Sequence, residues 1–199
     1  MTFDLIVISF VGILLLFAVY TAFQFLGKYP KRTIDDVTPF LRPAEPQELE
    51  SLLDPAQEAN FRLRMPANEF ADWQRRRIHL MREYLLRMSH NALVLIEWGN
   101  IETNTSEPES ASSRQLLAQE LVQAATEFRL YSFLALAQLK LWLVLPFPFK
   151  FLLPPPSLPS LRQLFGIDAL GSYQRLKEAA CGLSLAYNNH FHNELLERL

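Results

Sequence analysis

Residues 113–145 read SRQLLAQELVQAATEFRLYSFLALAQLKLWLVL, and this stretch decides the fold predicted for the chain. Apolar and small residues recur along it at alternating intervals of four and three positions, from Leu117 to Leu145, with one polar interruption at Gln138. Such spacing places them on one side of an α-helix. The pattern predicts a helix of about 30 residues that packs lengthwise against neighbouring helices.

Two further stretches predict long helices. Between Pro66 and Trp98 the apolar residues fall on one broad face, and Gly99-Asn100 is a typical helix-ending signal. A third helix is predicted from Asp168, as N-cap, almost to the end of the chain. The three matched lengths with facing apolar stripes predict an all-α fold, an antiparallel up-down-up bundle over residues 66–199.

Arg77 interrupts the apolar stripe of the first long helix. A buried arginine needs a partner of opposite charge, and we expect Glu120 or Glu127 of the second helix to provide it. Snorkelling of its aliphatic stem to the edge of the bundle is the alternative.

The N-terminus predicts a membrane anchor over residues 1–28. Residues 5–27 carry no formal charge over 23 positions, which is enough for a helix to cross the hydrocarbon core of a bilayer. The acidic start and the length of the run disfavour a cleaved signal peptide. Lys28, Lys31 and Arg32 follow the run, so the positive-inside rule predicts a single-pass protein of the cell membrane, with its N-terminus outside and its body in the cytoplasm.

Residues 29–65 predict a proline-rich linker with short helices. Prolines at positions 30, 39, 43 and 46 interrupt regular structure. Short helices are expected over 46–53 and from Pro55 to about Arg64, the latter with Asp54 as its N-cap.

Residues 139–159, LKLWLVLPFPFKFLLPPPSLP, are as apolar as a membrane span, but two lysines and six prolines interrupt them. Neither uncharged run reaches the roughly 18 residues that a span needs. The bundle topology places this loop at the membrane-proximal end, where we expect it to contact the inner leaflet or a membrane-embedded partner, or else to cap the bundle core. The candidate contact residues are Trp142, Phe147, Phe149, Lys150, Phe151 and Leu152.

The charged residues offer a second candidate surface. Four arginines of the first long helix, Arg75, Arg76, Arg82 and Arg87, with Arg62 and Arg64 upstream, form a candidate basic patch for anionic lipid or an acidic partner. The alternative is a solvated helix face that Asp72 and Glu83 partly neutralise. The overall charge of −2 excludes a protein that coats nucleic acid.

No motif for catalysis, for a metal or for a nucleotide cofactor is present in the sequence. One cysteine, Cys181, excludes an intramolecular disulfide. His190 and Glu194 have the i, i+4 spacing of two ligands on one helix face, but a catalytic zinc usually has three protein ligands.

The sequence therefore favours a non-enzymatic tether, scaffold or regulator of a membrane-associated partner, with self-association as a further use of its surfaces. Two other classes stay open: a helical module that binds a lipid or another apolar ligand, and an enzyme with a site near His190 and Glu194.

Overall fold

The computed structural model describes residues 37–44, 46–105, 111–144, 169–187 and 189–199. The chain divides into two units, Met1–Lys31 and Arg32–Leu199, and every described residue belongs to the second. In this part the predicted all-α fold is confirmed, because each regular element is a helix. None of these helices combines the length and apolar character needed to cross a membrane, and the predicted anchor, 1–28, lies outside the described residues.

A short 3-10 helix at Thr38–Phe40 precedes the α-helices of the described part. These are α1 (Pro46–Leu53), α2 (Pro55–Arg64), α3 (Ala67–Thr105), α4 (Ala111–Val144), α5 (Ala169–Leu185) and α6 (Asn189–Arg198). The two short helices lie where the sequence predicts them. Asp54 caps α2, since its Oδ1 accepts a hydrogen bond from the amide of Ala56 at 2.9 Å and Pro55 fills the first helical position.

The long helices α3, α4 and α5 alternate in direction. α4 is antiparallel to α5, because Phe128 stacks near Tyr173, with ring centroids 5.0 Å apart, while Arg114 near the start of α4 donates to the carbonyl of Ala186 past the end of α5. α3 is parallel to α5: Asn91 meets Tyr173, and further along α3 Trp98 meets Tyr187, just past the end of α5. α4 is therefore the central helix and packs against both others.

The core of the described part lies along the facing stripes of α3, α4 and α5. Its largest members are fully buried, and burying one such side chain contributes about 1.5–3 kcal/mol. They include Ile78, Met81, Met88, Leu95, Trp98, Leu121, Phe128, Leu139, Tyr173, Leu176 and Leu183.

The prediction that α3 ends at Trp98 is wrong, since the helix continues through Thr105. Gly99 is a point of close approach to α4 rather than a helix end. A β-carbon placed at Gly99 would lie 2.6 Å from Cγ2 of Val122 and 3.1 Å from the carbonyl oxygen of Ala118. The absent side chain therefore lets the two helix backbones come together.

The prediction of one uninterrupted third helix is also wrong. α5 ends at Leu185 and α6 begins at Asn189. The amides of Ala186 and Tyr187 donate to carbonyls three residues earlier, which tightens the last turn, and the guanidinium of Arg114 caps the carbonyl of Ala186 at 2.9 Å. These contacts replace the hydrogen bonds that would have continued the helix.

The described part of the predicted linker packs onto the bundle. Val37, Leu41 and Leu49 are buried. Asn91, which has no exposed surface, joins this segment to α3: its Oδ1 accepts from the amide of Arg42 and its Nδ2 donates to the carbonyl of Arg42, both at 2.8 Å. An amide side chain that mimics a backbone partner in this way satisfies both main-chain groups of Arg42.

Candidate interaction surfaces

The predicted basic patch lies in the N-terminal half of α3. Its members, Arg75, Arg76, Arg82 and Arg87, form two rows along the helix, because residues seven or eleven positions apart return to the same side. Arg76 and Arg82 are exposed.

The other two arginines, Arg75 and Arg87, form ion pairs with acidic residues on the same face, which partly neutralise the patch. Nη1 of Arg75 lies 3.6 Å from Oδ1 of Asp72, and both side chains are more than half exposed. Arg87 donates to Glu83 and also lies over the ring of Tyr84, 5.7 Å from its centroid. Exposed pairs of this kind contribute about 0–1 kcal/mol. The basic patch is thus a solvated surface with a moderate excess of positive charge.

Arg77 is buried, but its predicted partners are wrong. Its Nη1 donates to Oε2 of Glu58 on α2 at 2.7 Å, and its Nε donates to the carbonyl of Leu52. The guanidinium also lies 5.2 Å from the centroid of the Trp73 ring.

The register of α4 explains the error. Gly99 of α3 meets α4 at Ala118 and Val122. Because the two helices are antiparallel, Arg77, 22 residues before Gly99, lies opposite the end of α4 and far from Glu120 and Glu127. α2 instead folds back along α3. The sequence gives no signal for this contact beyond Met65-Pro66, which separates the two helices.

A groove of about 340 Å³ runs between α4 and α5. Small residues, Ala124, Ala179 and Gly182, form part of its lining, and Glu120, Glu127 and Glu178 add negative charge to it. Arg175 is 3.7 Å from Glu127 across the groove. A hydrogen bond to Glu127, together with partial burial and the glutamate charge, raises the pKa of the Tyr131 hydroxyl. The sequence analysis did not identify this groove, because it depends on the register between the two helices.

His190 and Glu194, the pair with ligand spacing in the sequence, both lie on α6. His190 is exposed and Glu194 is half-buried. Nδ1 of His192 lies 2.8 Å from Oγ of Ser184, and this contact holds α6 against α5. Among the described residues no group of three or more histidine, cysteine or acidic side chains is placed to hold a metal ion. Burial raises the pKa of the Cys181 thiol, which disfavours the nucleophilic thiolate.

The predicted apolar contact loop is described only at its start. Trp142 lies in the last turns of α4 and is buried, with 8% of its surface exposed. Phe147, Phe149, Lys150, Phe151 and Leu152 lie outside the described residues, so their contact stays a prediction. Gln138, the polar interruption of the α4 seam, is buried, and its side-chain amide has no hydrogen-bond partner in the part of the chain that the structure describes.

A second feature that the sequence analysis did not identify is the exposed Leu63 in the last turn of α2, just before the turn into α3. Phe61 packs on Trp73 at 4.8 Å between ring centroids, while Leu63, two residues further on, is 86% exposed. The exposed Arg62 and Arg64 flank it. The periodicity of α2 contains this signal, since inward positions at Glu58, Phe61 and Met65 direct Leu63 outward.

Comparison of the chain with protein-family models, with curated proteins and with solved structures found no match. Its function is therefore argued from its own residues.

Proposed function

We propose that this chain is a single-pass membrane protein whose helical body acts as a non-enzymatic tether, scaffold or regulator of a membrane-associated partner. The observation that carries the proposal is the uncharged run over residues 5–27, followed at once by Lys28, Lys31 and Arg32. The basic flank orients the chain with the body, Arg32–Leu199, on the cytoplasmic side.

The character of the body supports an interaction role rather than catalysis. Its interior is formed mainly by apolar side chains of three helices, and two charged features lie on its surface: the basic patch of α3 and the groove between α4 and α5. Exposed, charged surfaces of this kind can contact another macromolecule of complementary charge. The apolar loop, residues 146–159, is assigned as a second contact with the membrane or with the partner.

A labelling experiment on the full chain tests the anchor and its orientation. In a Cys181→Ser background, one variant carries Thr2→Cys and a matched variant carries Leu185→Cys at an exposed position of α5. A membrane-impermeant maleimide added to intact cells is expected to label the first variant and not the second, and both after lysis.

The protein should also stay in the membrane fraction after extraction with alkaline carbonate. Release by carbonate would refute the anchor, and labelling of Leu185→Cys in intact cells would refute the orientation.

The loop is tested by replacing Phe147, Phe149 and Phe151 with serine. This variant should still integrate into the membrane, but it should no longer form the crosslinks to other proteins that the wild-type chain forms. An unchanged crosslinking pattern would remove the loop from the contact surface.

A further inference from the structure

We propose that the last turn of α2, just before the chain enters α3, inserts Leu63 into the interface of an anionic bilayer, with Arg62 and Arg64 bound to lipid headgroups. These three residues are called the hairpin tip. The inference rests on the proposed membrane location, but it assigns a contact to the helical body that the anchor does not require.

The hairpin tip combines exposed apolar surface with positive charge. Leu63 is 86% exposed, the largest value among the exposed large hydrophobic residues of the described part, and it has an exposed arginine on each side. Cations in the last turn of α2 also favour the helix dipole, which accounts for Arg62 and Arg64 in any fold. No such reason accounts for the leucine between them, whereas apolar side chains flanked by arginines are typical of interfacial membrane contacts.

The hairpin tip is held on a rigid base. Glu58 of α2 accepts from Arg77 of α3 at 2.7 Å in a buried pair, and Phe61 packs on Trp73. The amide of Met65 donates to the carbonyl of Phe61 at 2.9 Å and closes the last turn of α2. Because the helix is fixed by these contacts, insertion of Leu63 does not require the hairpin to become ordered first.

Charge complementarity points to an anionic surface. Residues 62–87 contain seven arginines and three acids, in a chain whose net charge is −2. Arg77 is buried and neutralised by Glu58, which leaves a surface excess of about +3 in this region. The exposed leucines of the region favour a bilayer over an acidic protein, since Leu80 and Leu86 are 46% and 39% exposed and each lies four residues after an exposed arginine.

The position of the hairpin tip in the bundle is consistent with this contact. α3 begins directly after the tip and α4 runs antiparallel to α3, so α4 ends towards the same end of the bundle as the tip. The apolar loop predicted to contact the membrane connects α4 to α5. Trp142, the described member of the predicted apolar contact, therefore lies towards the end of the bundle that carries the tip, and Leu185 lies towards the opposite end.

The test uses the full chain with a single cysteine that carries an environment-sensitive fluorophore, in the Cys181→Ser background. The probe position is Leu63→Cys, and the matched control is Leu185→Cys, an exposed leucine at the far end of the bundle. The protein is reconstituted into vesicles of phosphatidylcholine alone or with phosphatidylglycerol. Resistance to alkaline carbonate in the same samples reports the anchor separately from the hairpin tip.

In vesicles that contain phosphatidylglycerol, a lipid-soluble quencher is expected to quench the fluorophore at position 63 several-fold more than the one at position 185. In vesicles of phosphatidylcholine alone the two positions should not differ. Arg62→Gln combined with Arg64→Gln should abolish the difference while carbonate resistance persists. Equal quenching at the two positions in anionic vesicles would overturn the proposal and favour an acidic protein as the ligand of this surface. Quenching at position 63 that is the same in neutral vesicles would overturn the role of the arginines.

Discussion

The close approach of α3 and α4 at Gly99 can be tested by adding one carbon atom. Gly99→Ala places a β-carbon 2.6 Å from Cγ2 of Val122, about 1 Å inside the separation at which two carbon atoms attract each other. Val122 cannot swing away easily, because a β-branched side chain on a helix has one strongly preferred rotamer. The carbonyl of Ala118, at 3.1 Å, blocks the alternative direction. The two helices must therefore separate locally.

The magnitude follows from two opposing effects. Alanine stabilises a helix interior by about 1 kcal/mol relative to glycine. Overpacking of a close contact costs about 1–3 kcal/mol. We expect Gly99→Ala to lower the free energy of unfolding by about 1 kcal/mol, measured by urea denaturation of residues 32–199 followed by circular dichroism.

The matched control is Gly182→Ala on α5. A β-carbon there would meet only Cδ2 of Leu117, at an ordinary contact distance of 3.6 Å. This variant should gain about 0.5–1 kcal/mol from helix propensity. In a Val122→Ala background, Gly99→Ala should become stabilising, because the clashing methyl group is gone. If Gly99→Ala and Gly182→Ala raise stability by the same amount, the close approach at Gly99 is refuted.

Two further predictions concern buried polar groups. Arg77→Met should lower the free energy of unfolding by about 3 kcal/mol, because it leaves the Glu58 carboxylate buried without its cation. Adding Glu58→Gln to the same chain should recover part of the loss, and urea denaturation measures both effects. A loss below about 1 kcal/mol in the single variant would contradict a buried pair. Burial raises the pKa of Tyr173 from 10.0 to about 12. Because the unfolded chain then loses this proton first, the contribution of Tyr173 to stability should be unchanged below about pH 10 and should fall by up to about 3 kcal/mol as the pH rises to about 12. Tyr173→Phe should flatten the decline, and an equally steep decline in that variant would assign it to other groups.

The sequence predicted those features of the fold that depend on local periodicity. The stripes of α3, α4 and α5, the N-cap at Asp54 and the break at Met65-Pro66 are all encoded within a few turns of helix. Gly99 was misread because a glycine that ends a helix and a glycine that permits close packing look identical in a single sequence. Only the side chain of Val122 on the opposite helix distinguishes them.

Contacts between helices were harder to predict because they depend on register. The partner of Arg77 could be any acid that the fold brings near, and the sequence favoured α4 over the shorter α2. The end of α5 was missed for a similar reason, since it depends on a guanidinium from α4, that of Arg114. The exposure of Leu63 could have been predicted from the period of α2, whose inward residues determine the outward ones.

The pairing of neighbouring segments also implies an order of folding. α2 packs on α3, α3 on α4, α4 on α5 and α5 on α6, so from α3 onward each helix contacts the one made just before it. Local contacts of this kind form quickly. Other contacts are long-range: α3 contacts α5 through Asn91 and Tyr173, the segment around Arg42 contacts Asn91 about fifty residues later, and the 3-10 helix beside it contacts α6. Because this first segment of the described chain cannot complete its contacts until α6 is in place, we expect its amides to exchange with solvent sooner than those of the long helices.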